Sequence, residues 1–125
     1  MTNEQRQVHL TAVFLRTSFD AIKSSMAGKL EDALPCWLDA SMLMMLNREL
    51  HGCYRQAKPL FDTQTVQLLA LAAQQCDVLL AQCPGLLNST LCHRHLDAIL
   101  TPLQAAMQRM SAPLHTPRRR LWPLG

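Results

Sequence analysis

Four residues with metal-binding side chains follow one another in the second half of the chain, namely Cys76, Cys83, Cys92 and His95. Their spacing, C-x6-C-x8-C-x2-H, offers the thiolate and imidazole ligands that suit tetrahedral zinc. Structural zinc sites usually take a ligand pair from a loop or knuckle, whereas the close pair here, Cys92 and His95, falls on a predicted helix. Zinc binding is therefore one hypothesis, and thiols that fill a protein core are the simpler alternative.

Cysteine usage also bears on the compartment. The chain has five cysteines, an odd number, and no CxxC pair, which is typical of free thiols in a reducing environment. The N-terminal sequence MTNEQRQ lacks the basic and then apolar layout of a secretory signal. No apolar run approaches the ~20 residues of a membrane span. We therefore expect a cytoplasmic protein with no membrane partner.

No motif in the sequence indicates catalysis. There is no Gly-rich phosphate loop, no HExxH and no paired Glu-x-x-His of the kind that holds two iron ions in a helical bundle. The nine carboxylates are scattered along the chain. We expect a protein that is not an enzyme and that carries no cofactor.

Composition and periodicity both predict helices. Glycine is scarce, with four residues in 125, while the helix formers Leu, Ala, Gln and Met are plentiful. In four stretches apolar residues recur at alternating spacings of three and four, which is the pattern of a seam that faces a partner helix. The predicted seams are Val8, Ala12, Leu15, Phe19, Ile22 and Met26; Leu43, Leu46, Leu50, Cys53 and Ala57; Leu69, Ala72, Cys76, Leu79 and Cys83; and Cys92, Leu96, Ile99, Leu103, Ala106 and Met110.

Capping residues mark the ends of these helices. Thr2 and Gln5 have the spacing of a capping box, and Asp62 is a good N-cap. The four predicted helices run from Thr2 to about Ala27, from Pro35 to about Ala57, from Asp62 to Cys83, and from Asn88 or Ser89 to about Met110. Short links between helices of similar length favour antiparallel neighbours. We predict an all-α, antiparallel up-down-up-down four-helix bundle over residues 1–110, followed by a short, disordered, basic and proline-containing tail over residues 111–125.

The third predicted helix has a second face that bears no charge. After Asp62 its only charged residue is Asp77, and its other polar residues are Gln and Thr. A helix of this composition is unusual on an ordinary solvated surface. The face is formed by Leu68, Leu71, Gln74, Gln75 and Val78. We predict that it binds another protein or a second copy of this chain, unless the tail or the first link covers it.

A second candidate surface lies on the second predicted helix, where Trp37, Met44, Arg48 and Arg55 fall within a narrow angular sector. Trp and Arg are enriched at the energetic centres of protein interfaces. The alternative is that Trp37 packs on the preceding link and that the arginines are simply solvated. With either surface, the function that we expect is that of a small adaptor, chaperone or regulator.

The basic charge of the chain is confined to its C-terminal tail. The formal charge of +3 comes from Arg118, Arg119 and Arg120, because the nine basic and nine acidic residues before them cancel. With Trp122, these arginines could contact phosphates and stack on a base. Three charges are too few for strong nucleic-acid binding alone, so a nucleic-acid-binding regulator is an alternative to protein binding. A frayed, solubilising terminus is equally consistent with the sequence.

Overall fold

The computed structural model describes residues 2–25, 40–82 and 89–111, and they form four α-helices. Helix α1 spans Asn3–Ser25, α2 spans Ala40–Ala57, α3 spans Thr63–Gln82 and α4 spans Ser89–Ser111. The all-α fold predicted from the sequence is confirmed. The predicted tail lies outside the described residues from position 112 onward, as do the links over 26–39 and 83–88.

Both capping predictions are confirmed. The Thr2 hydroxyl accepts a hydrogen bond from the Gln5 amide at 3.1 Å, and the Gln5 side-chain oxygen accepts one from the Thr2 amide at 3.0 Å. Asp62 precedes α3, and its carboxylate accepts a hydrogen bond from the backbone of Thr65, one of the free amides of the first turn. Gln5 also donates to the Leu60 carbonyl at 2.7 Å, which ties the start of α1 to the link between α2 and α3.

The four helices pack as an antiparallel up-down-up-down bundle. Each helix packs beside the next one along the chain, and α4 closes the bundle against α1; within the described ranges, α1 and α3 lie diagonally opposite each other, as do α2 and α4. In each neighbouring pair, the early part of one helix lies beside the late part of the other. Contacts that show this order join Val8 to Cys53, Asn47 to Asp77, Gln82 to His95, and Lys23 to Asp97.

The predicted seams meet in a single core. Every seam residue that the structure describes is buried; Met26 and Cys83 lie outside the described residues. In the described part of the chain, Thr65 is the one buried polar side chain. Burying a Leu or Phe side chain contributes roughly 1.5–3 kcal/mol, so seam packing rather than helix propensity holds the helices in place.

Candidate functional site

The outer side of α3 carries a continuous uncharged stripe, which we call the outer stripe. The outer stripe consists of Gln67, Leu71, Gln74, Val78 and Ala81, all of them exposed. Leu71 is 43% exposed and Val78 is 41% exposed, which is high for large apolar side chains. Because the stripe lies opposite the core, no other helix of the described bundle covers it.

The outer stripe is narrower than the face predicted from the sequence. Leu68 and Gln75 were expected to belong to it, yet both are half-buried, and Leu68 packs against the core. Each lies one residue, or about 100° of helix rotation, from the buried Leu69 or Cys76. They therefore flank the core, while the exposed part of the predicted face is Leu71, Gln74 and Val78.

The single charge of α3 is turned away from the outer stripe. The Asp77 Oδ1 atom accepts a hydrogen bond from Asn47 Nδ2 at 2.7 Å and lies 2.9 Å from His51 Nε2, both on α2. Burial acts to raise the pKa of Asp77, but the hydrogen bonds from Asn47 and His51 outweigh it and leave the pKa below its usual value. The carboxylate is thus engaged at the α2 side of the helix.

The predicted residues of α2 line one open groove beside this cluster. Met44, Arg48 and Arg55 lie along it together with Leu80 of α3, and the groove has a volume of about 260 Å³. All three α2 residues are exposed. Trp37, the fourth member of the predicted surface, lies outside the described residues. We call this the α2–α3 groove; it combines two cations with two apolar side chains, and its α3 residue, Leu80, lies about 180° of helix rotation from Leu71 of the outer stripe.

A second polar cluster fixes the start of α3 to the end of α4. Arg109 donates from Nη2 to Asp62 Oδ2 at 2.6 Å and from Nε to Thr65 Oγ1 at 3.1 Å. Thr65 in turn donates its hydroxyl hydrogen to the other Asp62 oxygen. The hydrogen bonds from Thr65 and then Arg109 lower the pKa of Asp62, although burial opposes them. The cluster holds α3 in one rotation about its axis, so its role is structural.

Three of the four predicted zinc ligands, Cys76, Cys92 and His95, lie among the residues that the structure describes. Cys76 and Cys92 are fully buried in the core, and the His95 ring lies 3.2 Å from the side-chain oxygen of Gln82. Cys83 lies outside the described residues. Within the described part of the chain, no three His, Cys, Asp or Glu side chains come together as metal ligands. The seam positions explain this, because Cys76 and Cys92 point inward as small apolar groups.

Burial also makes two core thiols unreactive. It raises the pKa of Cys76 to about 11, with Asp77 adding to the effect and Asn47 opposing it. Burial likewise raises the pKa of Cys53 to about 11, helped by the charge of Glu49. Because the thiolate is the reactive and metal-binding form, neither side chain is suited to nucleophilic chemistry in the folded state.

Sequence reasoning missed exposed apolar residues on α1 and an apolar groove between α1 and α2. Leu10 and Phe14 are 52% and 51% exposed, and Met45 is 48% exposed. An apolar groove of about 370 Å³ lies beside Met45 and is lined by Ser18, Ala21, Ile22, Met42, Met45 and Leu46. The i and i+4 spacing of Leu10 and Phe14, on the side of α1 opposite its seam, is the signal that could have found this exposed pair.

Sequence reasoning also missed a cation in a groove between α1 and α4. This α1–α4 groove has a volume of about 350 Å³ and is lined by His9, Val13, Arg16, Gln104, Met107, Gln108 and Ser111. The Arg16 Nε atom is buried and, uniquely among the buried side-chain nitrogen and oxygen atoms of the described residues, has no hydrogen-bond partner. Leaving a buried donor unpaired costs about 1–3 kcal/mol. An arginine directly after the seam residue Leu15 was the available signal.

The remaining predicted site lies beyond the described residues. Arg118, Arg119, Arg120 and Trp122, the candidate nucleic-acid contacts, all fall in the 112–125 range. None of the four helices, over the ranges described, is long and apolar enough to cross a membrane.

Comparisons with known protein families, curated proteins and solved structures find no match.

Proposed function

We propose that this chain is a small protein-binding module without enzymatic activity, an adaptor, chaperone or regulator that works in the cytoplasm. The partner binds the outer stripe of α3 by helix-to-helix packing. The observation that carries the proposal is the stripe itself, a row of exposed and uncharged residues that runs nearly the whole length of the helix.

The spacing of the outer stripe supports a helix as the partner. From Gln67 to Ala81 its residues follow one another at steps of four, three, four and three. This is the heptad spacing at which two helices interlock their side chains, and it is the spacing that the buried seam of the same helix uses. Leu71 and Val78, seven residues apart, take equivalent positions in successive heptads and supply the apolar contacts.

The composition of the outer stripe supports a contact that forms and dissociates. Gln67 and Gln74 can hydrogen-bond with water in the free protein and with polar groups of a partner in the complex. Because Asp77 is engaged with α2, a partner on the stripe does not have to desolvate an unpaired charge. An uncharged stripe can also meet a second copy of itself without repulsion, so a homodimer fits the same surface.

The α2–α3 groove is a second surface that a partner could contact. Arg48 and Arg55 offer two cations next to the apolar side chains of Met44 and Leu80. An acidic segment of the partner with apolar residues beside its charges would match this groove, which lies on a different side of α3 from the outer stripe. Charged groups at the edge of an interface act mainly on partner choice and association rate, while the apolar stripe supplies the affinity.

The thiols support the cytoplasmic part of the proposal. Cys53 and Cys76 are free thiols buried in the core. Free cysteines persist in compartments where thiols are kept reduced.

The experiment that tests the proposal compares two double variants. Leu71→Glu with Val78→Glu places two charges on the outer stripe, and we expect loss of the partner by at least about 100-fold in affinity, because each charge would have to be buried in the interface. Binding is followed by pull-down from the cell of origin, and self-association by analytical ultracentrifugation. Circular dichroism checks that the variant keeps its helices and melting temperature.

The matched control is Leu10→Glu with Phe14→Glu, which makes the same chemical change at two equally exposed positions of α1. It should retain the partner. Retention of the partner by the α3 variant would contradict the proposal, as would its unfolding. Half of each pull-down sample is treated with nuclease to test the alternative function, nucleic-acid binding. Nucleic acid that is recovered only when Arg118, Arg119 and Arg120 are present would favour that alternative.

A further inference from the structure

We propose that the α1–α4 groove binds a carboxylate that is carried on an apolar body, with Arg16 as the residue that binds the charge. The groove lies between α1 and α4, and none of its lining residues belongs to α3 or to the outer stripe. The inference is therefore independent of the proposed function.

The unpartnered Arg16 Nε atom is the first observation that points to a ligand. In folded proteins nearly all buried polar side-chain atoms have a hydrogen-bond partner, so each exception needs an explanation. The ion pairs among the described residues use Lys23, His51, His93 and Arg109, and none uses Arg16. The guanidinium therefore keeps a charge and a donor that the described part of the chain does not satisfy.

The geometry of a guanidinium suggests which anion fits. The Nε–H and a neighbouring Nη–H point in parallel, and a planar carboxylate accepts from both at once. Gln104 and Gln108 add neutral amide donors at the groove, so a single fixed positive charge lines it, with His9 as a second cation only when protonated. That balance matches a singly charged carboxylate better than a doubly charged phosphate.

The rest of the groove suggests what carries the carboxylate. Val13 and Met107 line it as apolar side chains, and a volume of about 350 Å³ leaves room for a short aliphatic chain beside them. Such a group could be a free aliphatic acid or an acidic side chain flanked by apolar residues in a peptide. Both present the same chemistry to Arg16, and the experiment distinguishes them.

The test is NMR titration of the isotopically labelled full chain with three probes. Hexanoate represents the free acid, a capped tripeptide with glutamate between two leucines represents the peptide, and hexanamide is the uncharged control. We expect saturable shifts of amides along the α1–α4 groove with hexanoate or the peptide below about 10 mM, and none with hexanamide. The tighter of the two charged probes identifies the source of the carboxylate.

Substitutions at Arg16 test whether binding needs both the positive charge and the two parallel N–H donors of the guanidinium. Arg16→Gln should weaken binding at least about tenfold, and Arg16→Lys should restore only part of it, because lysine keeps the charge but not the parallel donors. Arg48→Gln in the α2–α3 groove is the matched control and should bind like the parent. Asp20→Asn removes the nearest carboxylate along α1 and should leave binding equal or tighter.

Three results would overturn the inference. One is the absence of saturable shifts with both charged probes in the parent chain and in Asp20→Asn. Another is equal affinity of Arg16→Gln, provided that its melting temperature matches that of the parent. Equal binding of hexanamide would likewise show that the groove selects an apolar chain rather than a carboxylate.

Discussion

The inner and outer sides of α3 follow the same spacing and have opposite surroundings. The inner seam, Leu69, Ala72, Cys76 and Leu79, is fully buried, while the outer stripe, Gln67, Leu71, Gln74, Val78 and Ala81, is exposed. Both repeat at steps of three and four. Heptad spacing therefore predicts that a helix side can pack against another helix, and it does not say whether the same chain supplies that helix.

The difference between the two sides lies in the polar residues. The inner seam has none, because α2 and α4 surround it, whereas the outer stripe alternates glutamine with apolar residues. Glutamine keeps a free helix side compatible with water and adds no charge that a partner must desolvate. A stripe of this composition is suited to being exposed in one state and covered in another.

The largest contrast that we expect between the two sides is in thiol reactivity. In Val78→Cys, the new thiol on the outer stripe should react with a maleimide at least about 10³-fold faster than Cys76, which is buried and reacts only when the fold opens. Peptide-resolved mass spectrometry measures both rates in one sample and separates them from the other cysteines. Rapid labelling of Cys76 would show that the inner seam opens far more often than a closed core allows.

Addition of the partner sharpens the same measurement. If the outer stripe is the binding surface, saturating partner should slow labelling of the cysteine of Val78→Cys and leave Cys76 unchanged. A second copy of the chain would produce the same protection as the protein concentration rises. Unchanged labelling of that cysteine in a demonstrated complex would place the partner elsewhere on the bundle.

The next contrast is in stability. Leu69→Ala should lower the free energy of unfolding by about 2–5 kcal/mol, because it leaves a cavity in the core. Leu71→Ala, two residues further on, should change it by no more than about 0.5 kcal/mol, since the side chain is 43% exposed and alanine is a strong helix former. Urea unfolding of the two variants measures the difference. Comparable losses would mean that the outer stripe packs against part of this chain.

The fold could be predicted from the sequence because burial follows a period that can be read along a single helix. Leu15 and Leu96 each belong to a predicted seam, and both are fully buried. The capping box of Thr2 and Gln5 could be predicted for the same reason, since its partners are three residues apart. Features that depend on one helix are visible in the sequence.

The polar clusters could not be predicted from the sequence, because each depends on which helices are neighbours and on which residues of those helices lie at the same position along the bundle axis. Asp77 lies next to His51 although 26 positions separate them, and Arg109 reaches Asp62 across 47 positions. The groove around Arg16 is likewise built from two helices at opposite ends of the chain. Zinc binding by Cys76, Cys83, Cys92 and His95 stays a prediction from their spacing, and the burial of Cys76 and Cys92 in the core favours the simpler interpretation as core thiols.

The smallest effect that we expect comes from the cluster that holds α3 in its rotation. Arg109→Met removes the hydrogen bonds to Asp62 and Thr65 and should lower stability by about 1 kcal/mol or less at neutral pH, because the two charged side chains are 40% and 53% exposed and solvent screens their attraction. Arg94→Met, an exposed arginine of the same helix with no ion pair among the described residues, is the matched control and should have almost no effect.

Acid should remove this difference, because the stabilisation depends on an ionised Asp62. The pKa of Asp62 in the folded state is lower than in the unfolded chain, so its contribution is fully present above the ordinary aspartate value of about 4 and is lost as pH falls through the lower, folded value. Urea unfolding at pH 7 and near pH 2 should therefore show the parent and Arg109→Met converging. A gap that persists in acid would mean that Arg109 stabilises the bundle through the packing of its aliphatic stem on α3, and that the inner seam alone sets the rotation that leaves the outer stripe exposed.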